Sequence, residues 1–259
     1  MQIEQKTRNE TRPASRTSPA EVPTMRVVGA TAIALAASMV IQNVMFGATD
    51  APGYGDPIDE VFAWHAQNRA VVAIAVAQEA LHVPLLLGFL TGLHGLVAGR
   101  GGAGAVWSRW AVAAGASLSA TFALYSVLWI GTVLAVGDLA EPSPTFALAW
   151  QLHAAAFALA LPTLGVTVIG AALATHTSRL TPRWQVLLGL VGGGLLLAAG
   201  VASLEIADGS ALLFVGLPGM AAWIVWLLTT GVRLVRARTV SSPNSASVDS
   251  ASPTRKKNR

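Results

Sequence analysis

The sequence predicts an all-α integral membrane protein with six transmembrane helices. Of its 259 residues, 53% are hydrophobic and only 12% are charged, whereas a soluble domain is about 25% charged. Long apolar segments recur along the chain, and the basic residues are confined to alternate connections between them. The chain has no cysteine, which excludes disulfides and thiolate metal sites.

Six segments are long enough to cross about 30 Å of hydrocarbon, which takes about 20 mainly apolar residues. They cover residues 27–46, 70–97, 109–136, 146–175, 185–204 and 211–235. Apolar residues occupy every face of these segments, as expected for helices that contact both lipid and other helices. Pairs of glycines four residues apart, Gly88 with Gly92 and Gly189 with Gly193, predict close helix contacts.

The distribution of charge predicts the orientation of the bundle. Of the 17 Lys and Arg residues, all but Arg69 lie in the two terminal regions or near the connections 98–109 and 176–184. These regions share one side of a six-helix bundle, and the opposite side carries the acidic residues of the connections. Because cytoplasmic connections are enriched in Lys and Arg, we expect both termini in the cytoplasm and the helices in the plasma membrane.

The ends of the chain and the longest outer connection differ from the membrane domain, residues 25–236. Residues 1–24 and 237–259 are rich in Ser, Thr, Pro and charge, which predicts disordered cytoplasmic tails. The stretch "DPIDEVFAWHAQNR" before the second span predicts a short outer-surface helix, capped by Asp56 and with Pro57 as its first residue. Within it, Trp64 and His65 are expected at the membrane interface.

The second span carries three polar side chains on one helical face. In "AQEALHVPLL", Gln78, Glu79 and His82 are separated by three or four positions along the helix. Glu79 is the only carboxylate within any predicted span, roughly 13 Å from the outer end at 1.5 Å per residue. An ionisable group at such depth faces the protein interior and marks a functional site by default. We predict Glu79 and His82 as its reactive pair, and a purely structural hydrogen bond between helices is the alternative.

Polar residues of two other spans lie at similar predicted depth. Ser117, Thr121 and Tyr125 recur every fourth residue in the third span, and Gln151 and His153 lie in the outer third of the fourth. We therefore expect a polar cavity in the outer half of the bundle. The predicted binding residues are Gln78, Tyr125, Gln151 and His153.

No cofactor and no metal centre is predicted. A haem would need histidines at matched depth, whereas His82 and His153 differ by roughly 7 Å at 1.5 Å per residue. Glu79 and His82 form one half of a Glu-x-x-His di-metal motif whose second half is absent. A single metal ion held by these two residues and His153 stays open as an alternative.

The last two spans carry the features on which a resemblance rests. These are "LTPRWQVLLGLVGGGLLLAAG", residues 180–200, and "AAWIVWLLTTGVRL". In them the chain resembles the bacterial six-helix multi-pass membrane proteins of unknown function, over most of residues 25–236. The resemblance implies a fold and no activity.

Three functions fit these observations. The first is binding or proton-linked transport of a small molecule, which no internal repeat supports. The second is an integral-membrane enzyme with Glu79 as acid or base and a lipid-soluble substrate such as an isoprenoid, although a second intramembrane carboxylate is missing. The third is a structural or accessory role without a chemical site. Expected partners are membrane lipids and a small ligand but not nucleic acid, because outside the tails no basic stripe alternates with aromatic residues.

Overall fold

The computed structural model describes residues 21–237, which form eight helices. These are α1 (Glu21–Ala48), α2 (Ile58–Gln67), α3 (Arg69–Ala98), α4 (Ala103–Asp138), α5 (Pro144–Thr177), α6 (Arg183–Val201), α7 (Ser203–Ala207) and α8 (Leu213–Val235). The predicted tails lie outside the described residues, apart from residues 21–24, which begin α1, and residue 237.

Six of these helices, α1, α3, α4, α5, α6 and α8, are long and apolar enough to span a membrane. The first four are longer than predicted, and the fifth ends at Val201, before the short helix α7. Large apolar side chains such as Val27, Leu81 and Leu187 are exposed on the outside of the bundle, an arrangement that suits lipid and not water. The chain is therefore an integral multi-pass membrane protein.

The six long helices form a closed ring in chain order. Each packs against the next, and α8 packs against α1 to complete the ring. Glycines allow the closest approaches: Gly29 faces Gly231 between α1 and α8, and Gly165 faces Gly193 between α5 and α6. The two predicted glycine pairs lie at such contacts, the pair in α3 against α1 and the pair in α6 against α5.

Helices α2 and α7 lie at the same end of the ring, here called the α2 end. The loop before α2 is docked against the turn after α7, where a side chain on Gly209 would collide with the Gly55 backbone. Gly209 has φ +86°, a left-handed conformation that favours glycine. The loop is therefore held in place by a contact between residues that are distant in the chain.

The predicted cap of α2 is wrong. The helix begins after Pro57, which is its N-cap and makes no side-chain hydrogen bond. The carboxylate of Asp56 instead accepts a hydrogen bond from the Gly53 N–H at 2.7 Å. Asp side chains often close such local turns, and here the turn takes the carboxylate that was expected to cap the helix.

Helix α2 packs into the bundle through one face. Val61 and His65 are buried, and the Trp64 indole donates a hydrogen bond to the Thr49 carbonyl at 2.8 Å. The interface position predicted for His65 is wrong, because this ring is only 2% exposed. The helix covers the α2 end of the ring.

Candidate functional site

A cavity of about 340 Å³ lies inside the ring at the α2 end, and we call it the chamber. Residues of α1, α3, α4, α5 and α8 line it, together with α2 and the loop before α2. Small-molecule pockets in proteins have volumes of about 300–1,000 Å³. The chamber is therefore large enough for a small organic ligand.

Glu79 contributes a buried carboxylate to the chamber. The side chain is 5% exposed, and its Oε1 accepts a hydrogen bond from Gln42 Nε2 of α1 at 2.8 Å. Its Oε2 is buried and has no hydrogen-bond partner among residues 21–237. One oxygen thus joins two helices, and the other is left for a proton or a ligand.

His82 lies beside the free oxygen of Glu79. The distance from His82 Nδ1 to Glu79 Oε2 is 3.6 Å, which is an ion-pair distance but is too long for a hydrogen bond. The other ring nitrogen, Nε2, is 3.0 Å from Ser38 Oγ of α1. The imidazole is therefore anchored at one nitrogen and close enough to interact with the carboxylate at the other.

His153 is held between two aromatic rings. Its ring stacks on Tyr125 with a centroid distance of 3.9 Å and on Trp150 at 5.1 Å. His153 Nδ1 lies 3.1 Å from the Tyr125 carbonyl oxygen, which can only accept, so Nδ1 is the donor. In the part of the chain that the structure describes, no group bonds His153 Nε2, which leaves this nitrogen as an acceptor when the ring is neutral.

His65 docks α2 onto α4 through two hydrogen bonds. Its Nδ1 is 2.8 Å from the Val61 carbonyl, and its Nε2 accepts from the Trp129 indole at 3.1 Å. Together the two bonds require a neutral ring with its hydrogen on Nδ1. Burial lowers the pKa of His65, and the bond to Val61 offsets part of this effect. His65 therefore has a positioning role.

Tyr54 brings the loop before α2 into the chamber. Its ring packs on Trp150 at 5.3 Å and on Phe157 at 5.6 Å, and its hydroxyl lies near that of Tyr125. Burial raises the pKa of the Tyr54 phenol well above its ordinary value, so the hydroxyl stays neutral. Sequence reasoning missed this residue, although it is one of only two tyrosines and lies within a glycine-rich loop.

Aromatic side chains supply much of the chamber wall. They come from the loop, from α2 and from three of the long helices, α1, α4 and α5. These side chains are Phe46, Tyr54, Trp64, Phe122, Tyr125, Trp129, Trp150 and Phe157. No Lys or Arg of the described chain is among the lining residues. The wall therefore combines aromatic faces with a single carboxylate.

A smaller, mainly apolar cavity of about 40 Å³ adjoins the chamber. The two spaces share Met39, His82, Phe122 and Met220 as lining residues. The smaller one extends to Trp223, which is buried among the helices. His82 therefore lies where the chamber meets the packed interior of the ring.

The structure brings Glu79, His82, Tyr125 and His153 around one cavity. Gln151, which was also predicted for this site, is exposed on the outside of the bundle. The preceding residue, Trp150, is buried. Successive residues of a helix point about 100° apart, so Gln151 points away from the face that Trp150 turns inward. Gln151 is thus at the predicted depth and on the wrong face.

Gln78 does not line the chamber either. It is half-buried, and its Oε1 has no hydrogen-bond partner within residues 21–237. Ser117 and Thr121 of the predicted polar ladder bond the carbonyl oxygens of Ala113 and Ser117 in their own helix, at 3.2 and 3.1 Å. Of that ladder, Tyr125 alone reaches the chamber.

The metal alternative lacks suitable geometry. Within residues 21–237, no three His, Asp or Glu side chains are close enough together to hold a metal ion. Glu79, His82 and His153 share the chamber without converging on one point.

No family model, curated protein or solved structure matches this chain. The resemblance to six-helix membrane proteins therefore extends to the six apolar helices and does not identify a family.

Proposed function

We propose that this protein binds a small molecule in the chamber and carries it across the membrane in a proton-linked cycle. The observation that carries the proposal is the free Oε2 of Glu79 beside a cavity of about 340 Å³. A buried acceptor without a donor costs about 1–3 kcal/mol. A ligand or proton that occupies this oxygen removes the cost.

A purely structural role explains the hydrogen bond of Glu79 Oε1 but not the buried Oε2. The bond from Gln42 to Oε1 links α1 to α3, as expected for interhelical hydrogen bonds. A glutamine at position 79 would accept the same bond without introducing an ionisable group into the membrane. The second oxygen and its neighbour His82 are therefore what favours a working role.

The proton in this cycle is assigned to Glu79 and His82, which are 3.6 Å apart. The other titratable groups that line the chamber are Tyr54, His65, Tyr125 and His153. The Tyr54 phenol stays neutral because burial raises its pKa, and the ring of His65 is kept neutral by burial and by the hydrogen bond that its Nε2 accepts from Trp129. Of the remaining groups, Glu79 and His82 are within ion-pair distance of each other, which supports them as the groups that exchange a proton.

We further propose that the α2 end faces the outside of the plasma membrane. The described arginines other than Arg69 lie toward the end of the ring opposite α2, in connections or near helix termini. The acidic residues of the connections are at the α2 end. This asymmetry supports cytoplasmic termini. The chamber would then receive its ligand from outside.

The enzyme alternative has less support from the lining of the chamber. Among the lining residues of the described chain, Glu79 is the only carboxylate, so any second acid or base in such an enzyme would have to be a histidine or a tyrosine. The accessory alternative predicts that no small molecule binds at all. One screen separates it from the proposal.

The screen measures thermal stabilisation of the purified protein by cationic, anionic and neutral solutes. A ligand that binds only the folded state raises the melting temperature. Compounds that stabilise the protein are then tested for uptake into proteoliposomes with and without a pH gradient. We expect at least one class to stabilise the protein and to accumulate in response to the gradient. Stabilisation by no class would contradict the proposal.

A further inference from the structure

We infer that the ligand of the chamber is a small organic cation of the quaternary or tertiary ammonium type, with its charge against Glu79 and its alkyl groups against the aromatic wall. This inference rests on the proposed function, because it assumes that the chamber binds a ligand. It adds the chemical class of that ligand.

The charges around the chamber favour a cation. Within residues 21–237, Glu79 supplies the only carboxylate of the lining, and no Lys or Arg belongs to it. The His65 ring accepts from Trp129 at Nε2 and cannot become cationic without losing that bond. When His82 and His153 are neutral, an anion would therefore meet a carboxylate with no positive charge to offset it, whereas a cation would meet its counter-ion.

The aromatic rings favour an organic cation. Cations are attracted to the faces of Trp, Tyr and Phe within about 6 Å of the ring centroid, and the attraction is strongest where water is excluded. The Tyr54 ring packs on Trp150 at 5.3 Å and on Phe157 at 5.6 Å, so it joins these rings into one continuous part of the wall. Tyr125 and Trp129, 5.9 Å apart, continue the wall on α4.

The same wall disfavours a bare metal ion. Hard cations need several oxygen ligands at short distance, and no three acidic or histidine side chains within residues 21–237 converge on one point. Glu79 Oε2 and His153 Nε2 are single acceptors without partners in the described chain. One carboxylate and aromatic faces suit a cation whose charge is spread over alkyl groups.

The test compares choline with two molecules of nearly the same shape. Neohexyl alcohol replaces the nitrogen with carbon and carries no charge, and the tert-butylacetate anion carries a negative charge. Binding is followed by tryptophan fluorescence, because Trp64, Trp129 and Trp150 line the chamber. We expect choline to bind at least about tenfold more tightly than the alcohol, because a charge-dependent contact of moderate strength gives a ratio of this size. We expect no binding of the anion.

Two variants locate the binding. Glu79→Gln should lose the preference for choline, and the matched control Glu141→Gln, which changes an exposed carboxylate, should keep it. Equal binding of choline and the alcohol, a preference for the anion, or hits in the solute screen that include no cation would overturn the cation inference and leave the proposed function intact. If no solute of any charge binds, both fail.

Discussion

Replacing Trp129 with phenylalanine tests how α2 is fastened to the ring. The substitution removes the indole N–H that donates to His65 Nε2 at 3.1 Å and keeps an aromatic ring. Trp129 is 3% exposed and His65 is 2% exposed, so the acceptor is left in a buried position. A buried acceptor without a partner costs about 1–3 kcal/mol, and we expect the free energy of unfolding to fall by that amount.

A double-mutant cycle isolates the hydrogen bond from the loss of packing. His65→Phe removes the acceptor, and the double variant has neither partner, so it should be more stable than the sum of the two single changes predicts. Interhelical hydrogen bonds in a membrane protein couple by about 0.6 kcal/mol on average and at most about 1.7. We expect a coupling in this range, measured by reversible unfolding in mixed micelles. Additive effects, or a Trp129→Phe variant as stable as the parent, would refute the docking of α2 through this bond.

Three further predictions concern the same end of the protein and its orientation. Burial holds the pKa of His65 below its ordinary value of about 6.5. Below that pH the unfolded chain therefore binds more protons than the folded one, and stability present above about pH 6.5 is lost as the pH falls. Between about pH 8 and about pH 5 the melting temperature of His65→Gln should fall less than that of the parent, and equal falls would contradict this. Gly209→Ala introduces a side chain at φ +86° and against the Gly55 backbone, which should lower the free energy of unfolding by at least about 1–2 kcal/mol, and an unchanged value would show that the loop is not held there. The chain has no native cysteine, and Ala103 and Ala140 are exposed positions at opposite ends of α4. Ala140→Cys should react with an impermeant thiol reagent added outside cells, and Ala103→Cys should not. The reverse pattern would contradict the proposed topology.

The spanning helices were predictable because length and composition decide them. A segment of about 20 apolar residues has few alternatives to a helix across the bilayer, and each of the six predicted segments corresponds to one long helix. Helix ends were harder, since they depend on local capping. Asp56 closes a turn with Gly53 in place of capping α2.

Some residues of the candidate site could be predicted from the sequence and others could not. The cost of a carboxylate among apolar residues pointed to Glu79 and, at helical spacing, to His82. Depth along a helix can be counted from the sequence, but the face that a helix turns inward depends on its neighbours. For this reason His153 reaches the chamber and Gln151, two positions earlier, does not.

The cover of the chamber could not be predicted from local pattern. Tyr54 enters it because its loop packs against a turn more than a hundred residues away, where Gly55 meets Gly209. His65 looked like an interface residue because its partner Trp129 lies on another helix. Both positions are set by contacts between distant parts of the chain.

The most direct test of the central claim compares two properties of Glu79→Gln. A glutamine can still accept the bond from Gln42, which is 2.8 Å long in the parent, so the free energy of unfolding without ligand should change by less than about 1 kcal/mol. Affinity for the ligand found in the screen should weaken at least about tenfold, because hydrogen bonds to charged groups contribute about 1.5–3 kcal/mol. If the variant binds the ligand as tightly as the parent, or if it unfolds far more easily while ligand affinity is unchanged, Glu79 serves only to join α1 to α3.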